Sequence, residues 1–435
     1  MKIILSILTF LSVALHAQSY LISNIPLPKT YIQNLDPYEC DEECLQTYLD
    51  NEMIFSFLAH ASSDQLENSQ HDEIRMISIS ILNLGSSKED KKLKIALLLP
   101  YKKIGRYASS TTNAAFAYLV ARNHSFELKT YNIESENAED IQTAISKMRV
   151  DNFEFIIAPL TLKGANTLID LNPMEDIYFP TINKKDVNSS LVNIYYGGID
   201  YKAQSDELLK EAVSPLVIFY DKSKIGSQLA EYEENTFKLK DQDDLNKTLD
   251  VVLDEFGLQA IDEPIQVDEN RTVHKYSIPK RVTNIEEQLL YNDDIKQGSM
   301  FINTPIVKTS MIMSQLTIYD VNATNVLSTQ INYDPLVLSL TQHEDRSKMI
   351  IANSITHNIS IFIETNSLLG NDIVYDWINY TTTVGVDYFF NKITSQDKQY
   401  NIELVDNQML YPIELIRPSK TRFIKYGSYD EELLN

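Results

Sequence analysis

The chain has 435 residues, with 38 Lys and Arg against 61 Asp and Glu, a formal net charge of −23, 43% hydrophobic and 10% aromatic residues, and two cysteines. That balance suits a globular protein of two or three domains and excludes a disordered, collagenous or disulfide-framework chain. So negative a charge gathers no phosphates, which sets aside nucleic acid and anionic membrane surfaces as partners, and 11 glycines leave few places for a Gly-rich phosphate loop.

Lys2 is a short positive start, Ile3 to Leu15 is apolar apart from Ser6, Thr9 and Ser12, and Leu15-His16-Ala17 ends on a small residue. This reads as a cleavable signal peptide over residues 1–17, with an uncleaved anchor as the alternative. The apolar run falls short of the roughly 20 residues that span a bilayer, and no cysteine sits at the expected cleavage point to carry a lipid. We expect a soluble exported protein, periplasmic in a Gram-negative cell, with no membrane insertion after cleavage.

Residues 18–90 read as an extended arm punctuated by Pro26, Pro28, Asn34 and Pro37, then a helical appendage. Cys40 to Leu49 has acids in its first turn, as a helix start prefers, Met53 to Ala59 continues the apolar spacing, and Ile74 to Leu84 predicts a further helix. A charged linker runs from Ser86 to Lys92.

Strand and helix then alternate, the pattern of a parallel sheet with crossover helices. The predicted order is strand Leu93 to Leu99, helix Ser109 to Val120, strand Phe126 to Tyr131, helix Asp140 to Met148, strand Phe153 to Ala158, helix Lys163 to Ile169 and strand Tyr178 to Ile182. The cycle restarts after Asp200: a helix to Val213, strand Leu216 to Tyr220, helix Asp241 to Phe256, strand Ser299 to Ile302 and helix Val307 to Leu316. Strand-like Met349 to Ala352, a long helix from Asp376 to Phe390 and a β-rich tail over Ile402 to Ile416 follow. Asp262 to Pro279 reads as a surface loop with edge strands. The expected fold is α/β, two doubly wound parallel-sheet lobes over residues 91–200 and 201–340, with 341–435 returning to the first lobe and crossing back.

Lys94-Ile-Ala-Leu-Leu-Leu-Pro100 with Gly105-Arg-Tyr-Ala108, then Phe155-Ile-Ile-Ala-Pro-Leu160, then Phe179-Pro-Thr-Ile182 with Tyr196-Gly-Gly-Ile-Asp200, resemble the opening, strand-to-loop and lobe-crossing segments of type I periplasmic-binding-protein domains. Within that family the Leu98-Leu99-Pro100 opening and the Ala158-Pro159-Leu160 element resemble the carboxy-terminal domain of the outer-membrane lipoprotein activators of penicillin-binding proteins. The resemblance covers about residues 92–400 and implies two lobes joined by three crossings, with any ligand between them. It places Tyr101, Arg106, Tyr107, Thr161 and Tyr196 near the cleft. Amino-acid-binding members hold a ligand carboxylate with small hydroxyl residues after the third strand; here Leu160-Thr161-Leu162 offers one hydroxyl, although a helix amino terminus there still suits an anion.

No catalytic constellation emerges. The six histidines after residue 17 lack a zinc spacing, and no nucleophile elbow, Walker loop or dinucleotide fingerprint occurs. Acid pairs such as Glu175-Asp176 and Asp293-Asp294 arise readily among 61 acids. We expect no enzyme, cofactor or metal. Cys40 and Cys44, four apart, suit a disulfide staple on the appendage; intermolecular pairing and two free thiols are the alternatives. Seven Asn-x-Ser/Thr sequons occur, and Asn188, Asn246, Asn270 and Asn322 each follow an acid two residues upstream, which resembles the extended sequon of bacterial periplasmic N-glycosylation; an Asn- and Asp-rich composition is the alternative source of the pattern. Tyr319, Tyr333 and Pro335 are read as either inter-lobe or turn residues, and Trp377 as core or interface.

The expected function is a non-catalytic periplasmic interaction or scaffold module. Its partner would be an envelope protein of cell-wall synthesis, motor or secretion machinery. The second expectation is a solute-binding protein that captures a small molecule between its lobes for a transporter or sensor.

Overall fold

The computed structural model describes residue 32 and residues 40–61, 69–81, 92–122, 124–239, 271–281, 284–290 and 297–428. The expected signal peptide, most of the linker that begins at Ser86 and the helix expected over Asp241 to Phe256 lie outside the described residues. The chain divides into two units, residues 1–92 and 93–435.

In the first unit, α1 (Glu42–Asp50), α2 (Ile54–His60) and α3 (Ser69–Ile81) form the expected helical appendage. Asp41 caps α1 by accepting the Cys44 N–H at 3.0 Å, and Glu42 and Glu43 stand at the positive end of the helix. Leu45, Phe57, Leu58 and Ala61 make a small core against which Ile74 and Ile79 pack. Cys40 and Cys44 are disulfide-bonded with Cα atoms 5.4 Å apart. Because the helix starts at Glu42, the bridge ties the entering chain to the first turn rather than joining two helical positions.

The second unit alternates as expected. It runs β1 (Leu93–Leu99), α4 (Tyr101–Ile104), α5 (Tyr107–Ala121), β2 (Phe126–Asn132), α6 (Ala138–Val150), β3 (Phe155–Ile157), α7 (Leu162–Asp170), β4 (Asp176–Phe179) and β5 (Ile194–Tyr196). The second lobe contains α8 (Tyr201–Leu209), β6 (Leu216–Tyr220), α9 (Lys224–Lys238), β7 (Val273–Ser277), β8 (Ser299–Asn303), α10 (Ile306–Ile318), β9 (Asn325–Ser328) and β10 (Met349–Asn353). Then come α11 (Ser360–Leu368), α12 (Trp377–Thr394), β11 (Glu403–Val405), β12 (Gln408–Leu410), β13 (Glu414–Pro418) and β14 (Phe423–Lys425).

Among the described residues the strands form two seven-stranded sheets, ordered β11-β12-β5-β4-β3-β1-β2 and β14-β13-β10-β9-β8-β6-β7. All pairs from β5 to β2 and from β10 to β7 are parallel, and antiparallel strands finish one edge of each sheet. From Ile95 to Leu99 β1 is apolar because both of its faces are covered: Ile95, Leu97 and Leu99 enter one core and Ala96 and Leu98 the other, while Lys94 near its start is half-buried. β6 splits likewise, with Val217 and Phe219 on one side and Leu216 and Ile218 on the other. Residues 273–277 supply the edge strand expected within Asp262 to Pro279.

The chain crosses between lobes after β5, after β10 and between β12 and β13. The return expected from residue 341 therefore comes later, since Met349 to Ile351 pair in parallel with Val326 to Ser328 and hold β10 in the second sheet. Helix α9 was not predicted. Its core face, Leu229, Ala230 and Phe237, is interrupted by the buried Glu233, which breaks the apolar period.

The side chain that organises the first crossing is Tyr178 on β4. It is fully buried, donates its hydroxyl to the Thr381 carbonyl at 2.7 Å, and lies 3.3 Å from the Tyr411 hydroxyl. A Cβ on Gly197 would meet its hydroxyl at 1.8 Å, and one on Gly385 would meet its ring at 2.1 Å. Gly385 sits inside α12, where glycine costs about 1 kcal/mol relative to alanine; the Tyr178 ring is the reason it is there. We predict that Gly385→Ala lowers stability by about 1–3 kcal/mol despite the better helix former, read by urea denaturation. A more stable variant would contradict this packing.

Candidate functional site

The parallel strands of both sheets end, at their carboxyl termini, on the side where the chain crosses, and the crevice outside such ends is where ligands bind in open α/β folds. On the first lobe the loops after β1, β2, β3 and β4 stand there; on the second, those after β6, β8, β9 and β10 do.

Thr161 is the N-cap of α7, extended at φ −70° and ψ 164°. The free N–H groups and dipole of a helix start make a ready anion seat. Here the chain fills that seat itself. Glu136, from the β2–α6 loop and only 6% exposed, accepts the Thr161 N–H at 2.8 Å through Oε1 and the Thr161 hydroxyl through Oε2. Gly164 is required in the first turn, because a Cβ would lie 2.5 Å from the Glu136 carboxyl carbon. The single hydroxyl seen in Leu160-Thr161-Leu162 is thus committed to an internal carboxylate. Glu136 lies 25 residues from its partner, and nothing local in the sequence marks it.

The other cleft candidates separate. Tyr101 opens α4 and is 42% exposed. Arg106 is exposed, its guanidinium 5.3 Å from the Tyr107 ring. Asp376, which caps α12 by accepting the Ile378 and Asn379 N–H groups, lies near enough to Arg106 to act on it electrostatically, and burial raises its carboxyl pKa. Trp377 packs edge-on against Tyr201 of α8 at 6.4 Å, across the lobe boundary. Tyr196 does not line the cleft: it is 1% exposed within the first lobe's core, beside Phe179 at 5.9 Å.

Tyr333 packs against both the first-lobe and the second-lobe core. Its ring lies 5.0 Å from Tyr375 and 5.0 Å from Phe423. Of the residues read as inter-lobe or turn, Tyr333 is inter-lobe, whereas Tyr319 lies beside Asn284.

At the second lobe's crossing end, sequence reading missed a buried polar set. Gln204 donates to Ser354 Oγ at 2.8 Å and accepts the Gln330 N–H at 2.9 Å, while Gln330 Oε1 accepts the Ser354 N–H at 2.6 Å. Asn332 donates to Ser328 Oγ at 2.7 Å. Glu233, fully buried, accepts from Ser205 Oγ at 3.0 Å and Asn303 Nδ2 at 2.6 Å, and burial drives its pKa well above the carboxylate range. Asn303 Oδ1, Thr329 Oγ1, Gln330 Nε2 and Asn332 Oδ1 are buried without a partner.

Among the described residues no helix is long and apolar enough to cross a membrane. No protein-family model matches the sequence, and no curated protein matches it. Solved structures do. An ABC transporter substrate-binding protein from Sphaerobacter thermophilus is similar at TM-score 0.54 and 9% identity, over 77% of this chain and 96% of that one. A solute-binding protein of an ABC transporter from R. palustris, in complex with benzoate, is similar at TM-score 0.50 and 10% identity, over 77% and 96%. The C-domain of LpoA from Haemophilus influenzae, a regulator of PBP1A, aligns at TM-score 0.48 and 10% identity, over 76% and 99%. At such identities the likeness shows the fold alone.

Glu233 makes a pH test available. Its folded pKa lies above its unfolded value, so folding holds a proton that the unfolded chain releases. The associated stability is full below the ordinary carboxyl pKa and falls as pH rises from about 4.5 toward the raised value. Glu233→Gln should remove that part of the decline, gaining on the parent with rising pH in melts between about pH 4 and 8. Equal slopes for the two proteins would contradict it.

Proposed function

We propose, from the type I periplasmic-binding-protein fold of this chain, that it is a non-catalytic exported protein that works as an interaction module in a bacterial cell-envelope assembly. The observation that carries this reading is Glu136. A solute receptor of this fold needs its first-lobe helix end free for the ligand, and here a buried carboxylate of the chain occupies it with two hydrogen bonds. A second carboxylate placed there would have to compete with Glu136 for the same N–H and hydroxyl donors in a buried setting, which is unfavourable.

The inter-lobe packing agrees. Tyr333 is shared between both cores, so a hinge motion that parts the lobes exposes its ring and those of Tyr375 and Phe423. A module that presents a surface needs the lobes held, whereas a receptor that closes on a solute needs them free. The partner we propose is an envelope protein, met on the outer faces of the lobes or on α1–α3.

One observation favours the second reading, capture of a small polar solute for a transporter or sensor. The partnerless Asn303, Thr329, Gln330 and Asn332 atoms are groups that a polar ligand or ordered water would satisfy. Thermal melting separates the two readings. With millimolar pools of amino acids, peptides, nucleosides, sugars and muropeptides, the exported protein should melt at an unchanged temperature. A solute at a hundred times its Kd would stabilise it by about 2.7 kcal/mol, and a clear shift with any one pool would replace the scaffold reading with a receptor.

A further inference from the structure

Seven sequons are present, and four follow an acid at the −2 position, although acids make up only 61 of 435 residues. Chance alone would give about one. The fold sorts the described sequons along the same line. Those without the acid are Asn358, which is half-buried, and Asn379, which is 2% exposed. The Asn379 Nδ2 is engaged with Asn371 Oδ1 at 3.2 Å and the Asp372 carbonyl at 2.8 Å. Those with the acid are Asn188 and Asn322, both exposed and both in loops without helix or strand. Asn246 and Asn270 lie outside the described residues.

The two exposed sequons differ in readiness. At Asn322 the sequon hydroxyl is held, since Thr324 Oγ1 donates to the Gln297 carbonyl at 2.7 Å and its N–H to the Gly298 carbonyl at 2.9 Å. The Asn322 side-chain oxygen also accepts from Lys348 Nζ at 2.5 Å. Asn188 follows the 3-10 turn Lys184–Asp186 and an extended Val187, φ −132° and ψ 152°, and precedes β5. Asp186, Asn188 and Ser190 are all exposed. A transferase that reads acid, acceptor and hydroxyl along an extended strand finds all three presented there in the folded protein.

We propose that Asn188 is an N-glycosylation site of the exported protein, taking an oligosaccharide from a polyprenyl-diphosphate-linked donor, with Asn322 a poorer acceptor. In the transfer, Asn188 Nδ2 forms a bond to the anomeric carbon of the first sugar. The bond from that carbon to the diphosphate oxygen breaks, its electron pair leaving with the polyprenyl diphosphate, and the amide proton passes to a carboxylate of the transferase. No oxidant or reductant is needed. The proposal requires export and is independent of what the cleft holds.

The test is the mass of the intact chain isolated from the envelope of its own cells, followed by peptide mapping. The peptide that contains Asn188 should carry an oligosaccharide, and those of Asn358 and Asn379 none. Asn188→Gln and Asp186→Ala should each abolish the added mass at that peptide while the melting temperature stays unchanged. An unmodified Asn188 peptide in the exported protein would overturn the proposal, and so would a glycan that survives Asp186→Ala.

Discussion

The lobes of this protein are joined around one buried ring. Tyr178 sits in the first sheet, its hydroxyl holding the Thr381 carbonyl of α12 and meeting the Tyr411 hydroxyl at the start of the third crossing. Gly197, where the first crossing begins, lies against the same hydroxyl. Two of the three crossings and the longest of the described helices are therefore referenced to a single side chain, and two of only 11 glycines are fixed by its volume. Asn183 and Gln408 both donate to the Gly198 carbonyl, at 3.1 and 3.2 Å, so the strand that leaves the first lobe is also held in place by hydrogen bonds.

From those crossings the character of the cleft follows. Its first-lobe side ends in a helix whose anion seat holds Glu136, and its second-lobe side ends in a buried polar set built around Gln204, Gln330 and Ser354. Between them Tyr333, Tyr375 and Phe423 form an aromatic bridge. In a receptor these positions would be left for a ligand. In our account the chain occupies the first-lobe seat and the space between the lobes with its own side chains, and the fold serves as a rigid body with outward-facing surfaces.

Much of the fold was legible because parallel strands buried on both faces read as apolar runs: β6 was predicted residue for residue at Leu216 to Tyr220, and β1 likewise at Leu93 to Leu99, where Lys94 alone interrupts the run. Legibility failed where a polar residue took a core position. Glu233 hid α9, since hydrogen bonds from Ser205 and Asn303 let a buried carboxyl, its pKa raised by burial, stand where the helical period calls for an apolar residue. The site was harder. Tyr195 and Tyr196 are neighbours on β5, yet one enters each core of the first lobe; a motif match locates the strand end without saying which face a side chain takes. The Glu136–Thr161 pair comes from two separate loops brought together only by β1, β2 and β3. A signal was present in Gly164, since a glycine in the first turn of a helix marks a close approach.

The central claim, that the lobes stay in one relation and the cleft is filled from within, is tested most directly by inter-lobe distance. Spin labels at Val150→Cys on α6 and Ile225→Cys on α9, both exposed, report it by double electron–electron resonance. The account predicts one narrow distance distribution, unchanged by pooled solutes. A broad or two-peaked distribution, or a shift of the peak with any solute, would contradict it and identify a protein that opens and closes on a ligand.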